Sequence, residues 1–454
     1  MAPFIVSSFG LFVMGLFQGL FTAPSWQTFL LLTCGWALTT ERHTITTYLW
    51  LTGATSVKHF SRFYVFLGGA LYTARWQLWA RIIRVAAQWV PAGEPIVIEV
   101  DDSTKKKAGT HIEGVAHYRN GAGSARQEYR TLRGLNFVWG IIRVPLPCWP
   151  GQRVSVPIGL SLYLKEEHAQ QLNVPYQSRS ALAREIVDFV AAQLPARPIR
   201  VLGDGGYATK DYLQQLPATV SVVGRMLITG KLYAPPPQPR GPRRGCPPKK
   251  GPLLGSPKTL ARKRSGWQPH PTEAGALIQA WTGLWHTVLP GRLIRVVVVR
   301  RPTPLRPRPP RRRKPRPPLE AFFTTDLTLS PETVLAQYRD RWAVEITSRD
   351  SNAFAGFGQD QCRKHERVVG ANTLRLLLAA ARTLWFVEQT RRAVPFALQR
   401  SRPWYRQKCA PSQLDIVWAC REALQDAGVF PIPRFTPALA INQEKPEIAL
   451  PLAA

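Results

Sequence analysis

Acidic side chains are scarce in this 454-residue chain. Only 28 Asp and Glu stand against 60 Lys and Arg, a formal net charge of +32. An excess of that size repels itself unless a polyanion neutralises it, so nucleic acid is the leading partner and an anionic membrane surface the next. Cysteines are few as well. The six, at 34, 148, 246, 362, 409 and 420, form no CxxC pair, and Cys362 with His365 is a lone C-x2-H without a second half. That argues against a zinc finger and suits a reduced, intracellular compartment. The eight histidines have no HxxxH spacing, which argues against a zinc hydrolase.

The first forty residues contain no charged side chain, and FIVSSFGLFVMGLFQGLFTAP raises the question of a membrane span. A signal peptide needs a basic start and a small-residue cleavage site, and neither stands out. Ser7, Ser8, Gln18 and three glycines dilute the run, and Pro24 ends it without a flanking basic cluster. The expectation is buried helix of a soluble domain, with no membrane partner.

Length allows two to four structural units. Residues 1–92 read as an all-helical unit, in which Gly53 separates two short apolar-periodic segments as in a helix-turn-helix DNA-binding module or any small bundle. From Pro95 the pattern changes to strands alternating with helices: PIVIEVDDS, FVWGIIRVPL and PIGLSLYL, the amphipathic SRSALAREIVDFVAAQL, then PIRVLGDGGYAT and ATVSVVGRM. This is an α/β core over 93–225, with partly parallel strands whose ends are the usual place for a site. Residues 226–320 are Pro/Arg-rich at both ends around a strand in HTVLPGRLIRVVVVRR, and read as a β-rich basic insertion. The core resumes over 321–400, with Ser330 capping a helix and Pro331 at its first position. Residues 401–454 supply a last helix, capped by Ser412, and a loose tail from about 431.

Three carboxylates have comparable settings. Asp101 ends one apolar strand, Asp204 ends another in a Gly-rich turn, and Glu345 follows a third strand on a helix. On a continuous helix Tyr338, Arg341, Glu345, Arg349 and Asn352 fall close to one stripe, displaying a phenol, guanidinium groups, a carboxylate and an amide. Such a face suits a carboxylate that holds a divalent metal beside donors for phosphate oxygens. Phosphodiester cleavage gives the reason to gather carboxylates, because two metal ions about 3.5–4 Å apart serve the attacking and leaving oxygens. Hard oxygen donors select Mg²⁺ or Mn²⁺.

VDDS at 100–103, LGDGGY at 202–207 and Y-x2-R-x3-E at 338–345 resemble the three blocks of the DDE transposases of bacterial insertion sequences, nearest to the insertion-sequence-four superfamily with its YREK signature. The likeness extends over roughly residues 40–390. It implies an RNase H-like mixed-sheet core interrupted by a β-rich insertion, an N-terminal DNA-binding domain and cut-and-paste transposition with Mg²⁺, for which Mn²⁺ substitutes. Asp101, Asp204 and Glu345 match the catalytic, metal-holding triad, with Asp102 a competing first aspartate. Tyr338 and Arg341 match the Y and R, and Arg349 and Asn352 complete a DNA-contacting set. The lysine of the signature is replaced by Asn352. The resemblance also implies double-stranded DNA as partner, a homodimer that synapses two ends, and a cytoplasmic, nucleoid-associated bacterial protein. Two alternatives stay open: an inactive or repurposed transposase that only binds DNA, and an RNase H-like nuclease that cuts without joining.

Overall fold

The apolar run after Pro95 becomes the strand around which the rest is arranged. In this computed structural model the described residues are 2–119, 130–237, 246–302, 318–392, 394, 396, 398 and 407–429. Of the expected basic loops at 235–251 and 300–318, residues 238–245 and 303–317 lie outside them, as does the loose tail from about 431.

The chain begins with six helices: α1 (Ala2–Val6), α2 (Ser8–Phe17), α3 (Ala23–Leu38), α4 (Ile45–Thr52), α5 (Ser61–Phe66) and α6 (Tyr72–Gln88). The uncharged opening is therefore cut into three short helices, the second capped by the Ser7 hydroxyl, which accepts from the Gly10 amide. Among the described residues no helix is long and apolar enough to cross a membrane. Gly53 closes α4 with φ +62°, a left-handed cap that a side chain adopts only with strain.

Five strands form the central part of the sheet: β1 (Ile96–Lys106), β2 (Ala116–Arg119), β3 (Thr131–Pro145), β4 (Arg153–Tyr163) and, after α7 (Glu166–Gln171) and α8 (Arg179–Gln193), β5 (Ile199–Gly203). After α9 (Lys210–Leu213) comes β6 (Val220–Met226). β1 pairs antiparallel with β3 and parallel with β5, β5 pairs parallel with β6, and β3 carries β2 and β4 on its other edge. The order β4–β3–β1–β5–β6 thus mixes antiparallel and parallel pairing around β1.

The strands between 232 and 300 continue the same sheet. β7 (Leu232–Tyr233), β8 (Leu253–Gly255), β9 (Gln268–Pro269), β10 (Leu277–Leu284) and β11 (Leu293–Arg300), with α10 (Pro257–Leu260) among them, reach β6 through β12 (Leu319–Thr324). Their order from β6 outward is β12–β11–β10–β7–β8. The four consecutive valines of RVVVVR are buried on both faces of a strand that is also paired on both edges, by β10 and β12.

The remaining helices are α11 (Pro331–Asp340), α12 (Trp342–Phe354), α13 (His365–Arg391) and α14 (Gln413–Asp426). α13 is buried along most of its length and shares one apolar core with α1–α6 and with β1, β3 and β4. Polar links lock the N-terminal helices onto this body: Trp36 Nε1 donates to Ala355 O at 3.1 Å, and Arg375 Nη2 donates to His43 O at 2.7 Å. α11 packs Val334 and Leu335 on a second apolar cluster over β5, β6, β11 and β12. That packing sets the end of α11 beside Asp204 and the start of α12 against β1.

Candidate active site

Two carboxylates reach the same level of the sheet because their strands are parallel neighbours. Glu99 of β1 lies opposite Leu202 of β5, the last pair between them. Asp101 and Asp204 each stand two residues further on, where the parallel pairing of β1 with β5 has ended. Asp204 lies just past the end of β5, but the expected strand end at Asp101 is corrected, because β1 runs on to Lys106 paired with β3. Asp204 leaves the sheet as its chain turns, and its Oδ1 accepts from the Gly205 amide at 2.7 Å.

Strand alternation separates Asp101 from Asp102. Asp101 faces α12, where Arg341 Nη1 stands 4.0 Å from its Oδ2. Asp102 faces the other way: its Oδ2 accepts from Asn136 Nδ2 at 2.8 Å and lies 3.8 Å from Arg179 Nε at the start of α8. The two share one contact, from the Asp102 amide to Asp101 Oδ1 at 2.8 Å.

The third carboxylate comes from α12. Arg341 Nη2 donates to Glu345 Oε1 at 2.8 Å, so one guanidinium bridges Glu345 and Asp101. The Tyr338 hydroxyl donates to Asp204 Oδ1 at 3.4 Å, and its ring packs on Phe322 of β12 at 4.6 Å between centroids. Asp101, Asp204, Glu345, Tyr338 and Arg341 therefore form one constellation.

The single stripe expected over 338–352 is corrected. The helix breaks at Arg341, where α11 ends and α12 begins. The break has a visible partner: the Val344 amide donates to Glu99 Oε2 of β1 at 2.9 Å, and within the helix only to Arg341 O at 3.4 Å. Arg349 turns to solvent, three-quarters exposed, and pairs with Asp350 at 3.0 Å. Asn352 faces β1, and its Oδ1 accepts from Lys105 Nζ at 2.8 Å. An ammonium group thus stands at the position where the helix itself carries none.

Burial is the main cause that pushes the Asp101 carboxyl up to about 7, and the neighbouring Asp102 and Asp204 push the same way against the Asp102 amide and Arg341. Glu99, fully buried, is also raised to about 7, again by burial first, with Arg143, the Val344 amide and Arg341 opposing. Carboxylates crowded in this way are short of positive charge. In kind, the donors fit a hard divalent cation. Among the described residues no three His, Cys, Asp or Glu side chains already converge on one point, and Arg341 stands between Glu345 and Asp101.

Two residues escaped the sequence reading. Glu99 sits inside the apolar run PIVIEV, and a lone carboxylate there was the available signal. Lys105 belongs to KKK at 105–107, a run whose charge conceals that two of its members, Lys105 and Lys107, are buried.

A family model described as DDE superfamily endonuclease matches residues 15–284, more than half of the chain. The chain belongs to the DDE superfamily endonucleases. Such an endonuclease is a nuclease or phosphoryl transferase with DNA as substrate and, in general, a divalent metal as cofactor. The mixed α/β structure with its mixed sheet is consistent with an RNase H-like DDE fold. The matched span includes Asp101 and Asp204 and stops short of Glu345. Among curated proteins no match is found.

Proposed function

We propose that this DDE endonuclease is the transposase of a bacterial insertion sequence, of the insertion-sequence-four, YREK-type group, which cuts the element's ends and joins them to target DNA. The observation that carries the reading is the Arg341 bridge. It brings Glu345, the residue beyond the matched span, to Asp101 at the level of Asp204. Asp101, Asp204 and Glu345 are the proposed catalytic carboxylates and the groups that would hold Mg²⁺ or Mn²⁺. When bound, the metal would supply Lewis-acid stabilisation of the attacking and leaving oxygens.

The chain's own residues account for the rest. Water attacks the phosphorus at the element's end, the P–O3′ bond breaks, and the 3′ oxygen leaves as a hydroxyl. That hydroxyl then attacks a phosphodiester of the target and displaces its 3′ oxygen. Arg341 neutralises the non-bridging oxygens, and the Tyr338 phenol donates to one of them while its ring stays fixed on Phe322. Arg349, exposed on the next turn, meets the DNA backbone, and Asn352 supports this surface from inside through Lys105. The net charge of +32 and the double-stranded substrate make affinity fall steeply with salt. Helices α1–α6 are the proposed DNA-binding unit, and synapsis of two ends calls for a homodimer.

The test uses duplexes that carry the inverted repeats flanking the gene. Glu345→Gln should abolish Mg²⁺- or Mn²⁺-dependent cleavage and leave DNA affinity within about threefold; retained cleavage sinks the assignment. Cutting without joining in the parent protein would point to a plain nuclease, and binding without either to a repurposed DNA-binding protein.

A further inference from the structure

β1 and α12 meet along two polar rows that match in pitch. β1 presents Asp101, Ser103 and Lys105 on one face, every second residue, about 6.6 Å apart, and Lys107 just past its end continues the row. α12 answers with Glu345, Ser348 and Asn352, three and four residues apart, or about 4.5–6 Å along its axis. The rungs are short. Arg341 joins Glu345 to Asp101, Ser103 Oγ lies 3.2 Å from Ser348 Oγ, and Lys105 Nζ donates to Ser348 Oγ at 3.2 Å and Asn352 Oδ1 at 2.8 Å. Lys107, next on the row, pairs with buried Asp360 at 3.0 Å.

Lys105 is the unusual rung. It is buried, and its hydrogen-bond partners among the described residues are neutral oxygens. Its ammonium lies over the Phe357 ring, 4.1 Å from the centroid. Gly358 closes over its stem with φ +81°, where an added Cβ would meet Lys105 Cγ at 2.7 Å. Loop 355–358 and the second half of α12 are thus shaped around one side chain of β1.

We propose that Lys105 is a positioning residue for the cleavage site: from the far end of β1 it grips Asn352 and Ser348 and so holds α12 in the register that sets Glu345 beside Asp101. The inference rests on the function proposed above. Burial brings the Lys105 amine down to about 7, so its charge costs free energy to keep there, and an apolar side chain of similar length should fit without lowering stability. Stability and register can therefore be separated by experiment.

Two readouts test this. In a background with the exposed Cys148, Cys246 and Cys409 changed to Ser, Ser103→Cys and Ser348→Cys report the register by their rate of disulfide formation with oxidised glutathione. Adding Lys105→Met should slow that rate at least about tenfold, with Tm unchanged or raised. In the chain with its natural serines, Lys105→Met should lower kcat for Mn²⁺-dependent cleavage about 10- to 100-fold at little change in KM for DNA. The exchanged pair Lys105→Asn with Asn352→Lys should restore most of both. Parent-like cross-linking and cleavage in Lys105→Met would overturn the inference, as would a joint fall of Tm and DNA affinity. If the parent cleaves no DNA, the proposed function fails. The cross-linking arm is then decisive by itself for the grip on α12, and a parent-like rate overturns it.

Discussion

The Glu99 carboxylate accepts the Val344 amide at 2.9 Å, tying the centre of β1 to the first turn of α12, one residue before Glu345. Without it this buried amide keeps only the 3.4 Å contact to Arg341 O, a loss of up to about 1–3 kcal/mol. Glu99→Leu should therefore destabilise the protein by about that amount and lower cleavage at least tenfold. Glu99→Gln keeps an acceptor oxygen and should stay within a few-fold of the parent. Urea denaturation and single-turnover cleavage check the two effects. Equal losses in both variants would mean that the charge, and not the acceptor, matters.

Asp101 and Asp102 are adjacent in sequence and opposite in space, so substitution should separate them sharply. Asp101→Asn removes a group beside Arg341 and Glu345 and should cost several kcal/mol of barrier, a loss of about a thousandfold or more in metal-dependent cleavage. Asp102→Asn disturbs only the Asn136 and Arg179 contacts on the other face and should stay within about tenfold. The reverse ranking, measured on the same duplex, would move the first aspartate to 102.

Arg341 serves two masters, because the guanidinium that bridges Glu345 to Asp101 also occupies the space between them. Helical i,i+4 ion pairs are worth a few tenths of a kcal/mol in isolated helices, and this one is only partly buried, with Glu345 more open than Arg341. Arg341→Met should accordingly tighten Mn²⁺ binding by about two- to fivefold, read by calorimetry without DNA. The same variant should cleave far more slowly, since the phosphate loses its donor. Weaker Mn²⁺ binding in Arg341→Met would show that the bridge arranges the carboxylates and does not compete for them.

Much of this was legible in the strands and caps. The runs ending at Asp101 and Asp204 are parallel neighbours, Ser330 and Ser412 cap α11 and α14, and Gly53 closes α4. Local patterning carries such features because each depends on a few consecutive residues. Features set by contacts distant in sequence were not legible. The break at Arg341 is accompanied by a contact to Glu99, which lies 245 residues from Val344, and Arg349 stands in solvent beside Asp350. Lys105 reads as one charge of a basic run until the strand brings it to Asn352, 247 residues away. Net charge likewise says nothing of which lysines are buried.

The junction between the N-terminal helices and α13 should be acid-sensitive, and His43 is the reason. Its ring is buried, with Nδ1 3.2 Å from the Tyr48 hydroxyl. Burial first, then Arg375, Arg382 and Arg421, hold its pKa down to about 3, against 6.5 for an ordinary histidine. The folded protein keeps His43 neutral, while the unfolded chain takes up a proton below pH 6.5. Its contribution is therefore complete above 6.5 and drains away as pH falls towards 3. At pH 4.5 the difference is about two units of pH, or about 2–3 kcal/mol. His43→Gln cannot charge, so the fall in its unfolding free energy between pH 7.5 and 4.5 should be smaller than the parent's by that amount. Urea midpoints at the two pH values give the comparison. Equal falls in the two proteins would place the acid-sensitive group elsewhere.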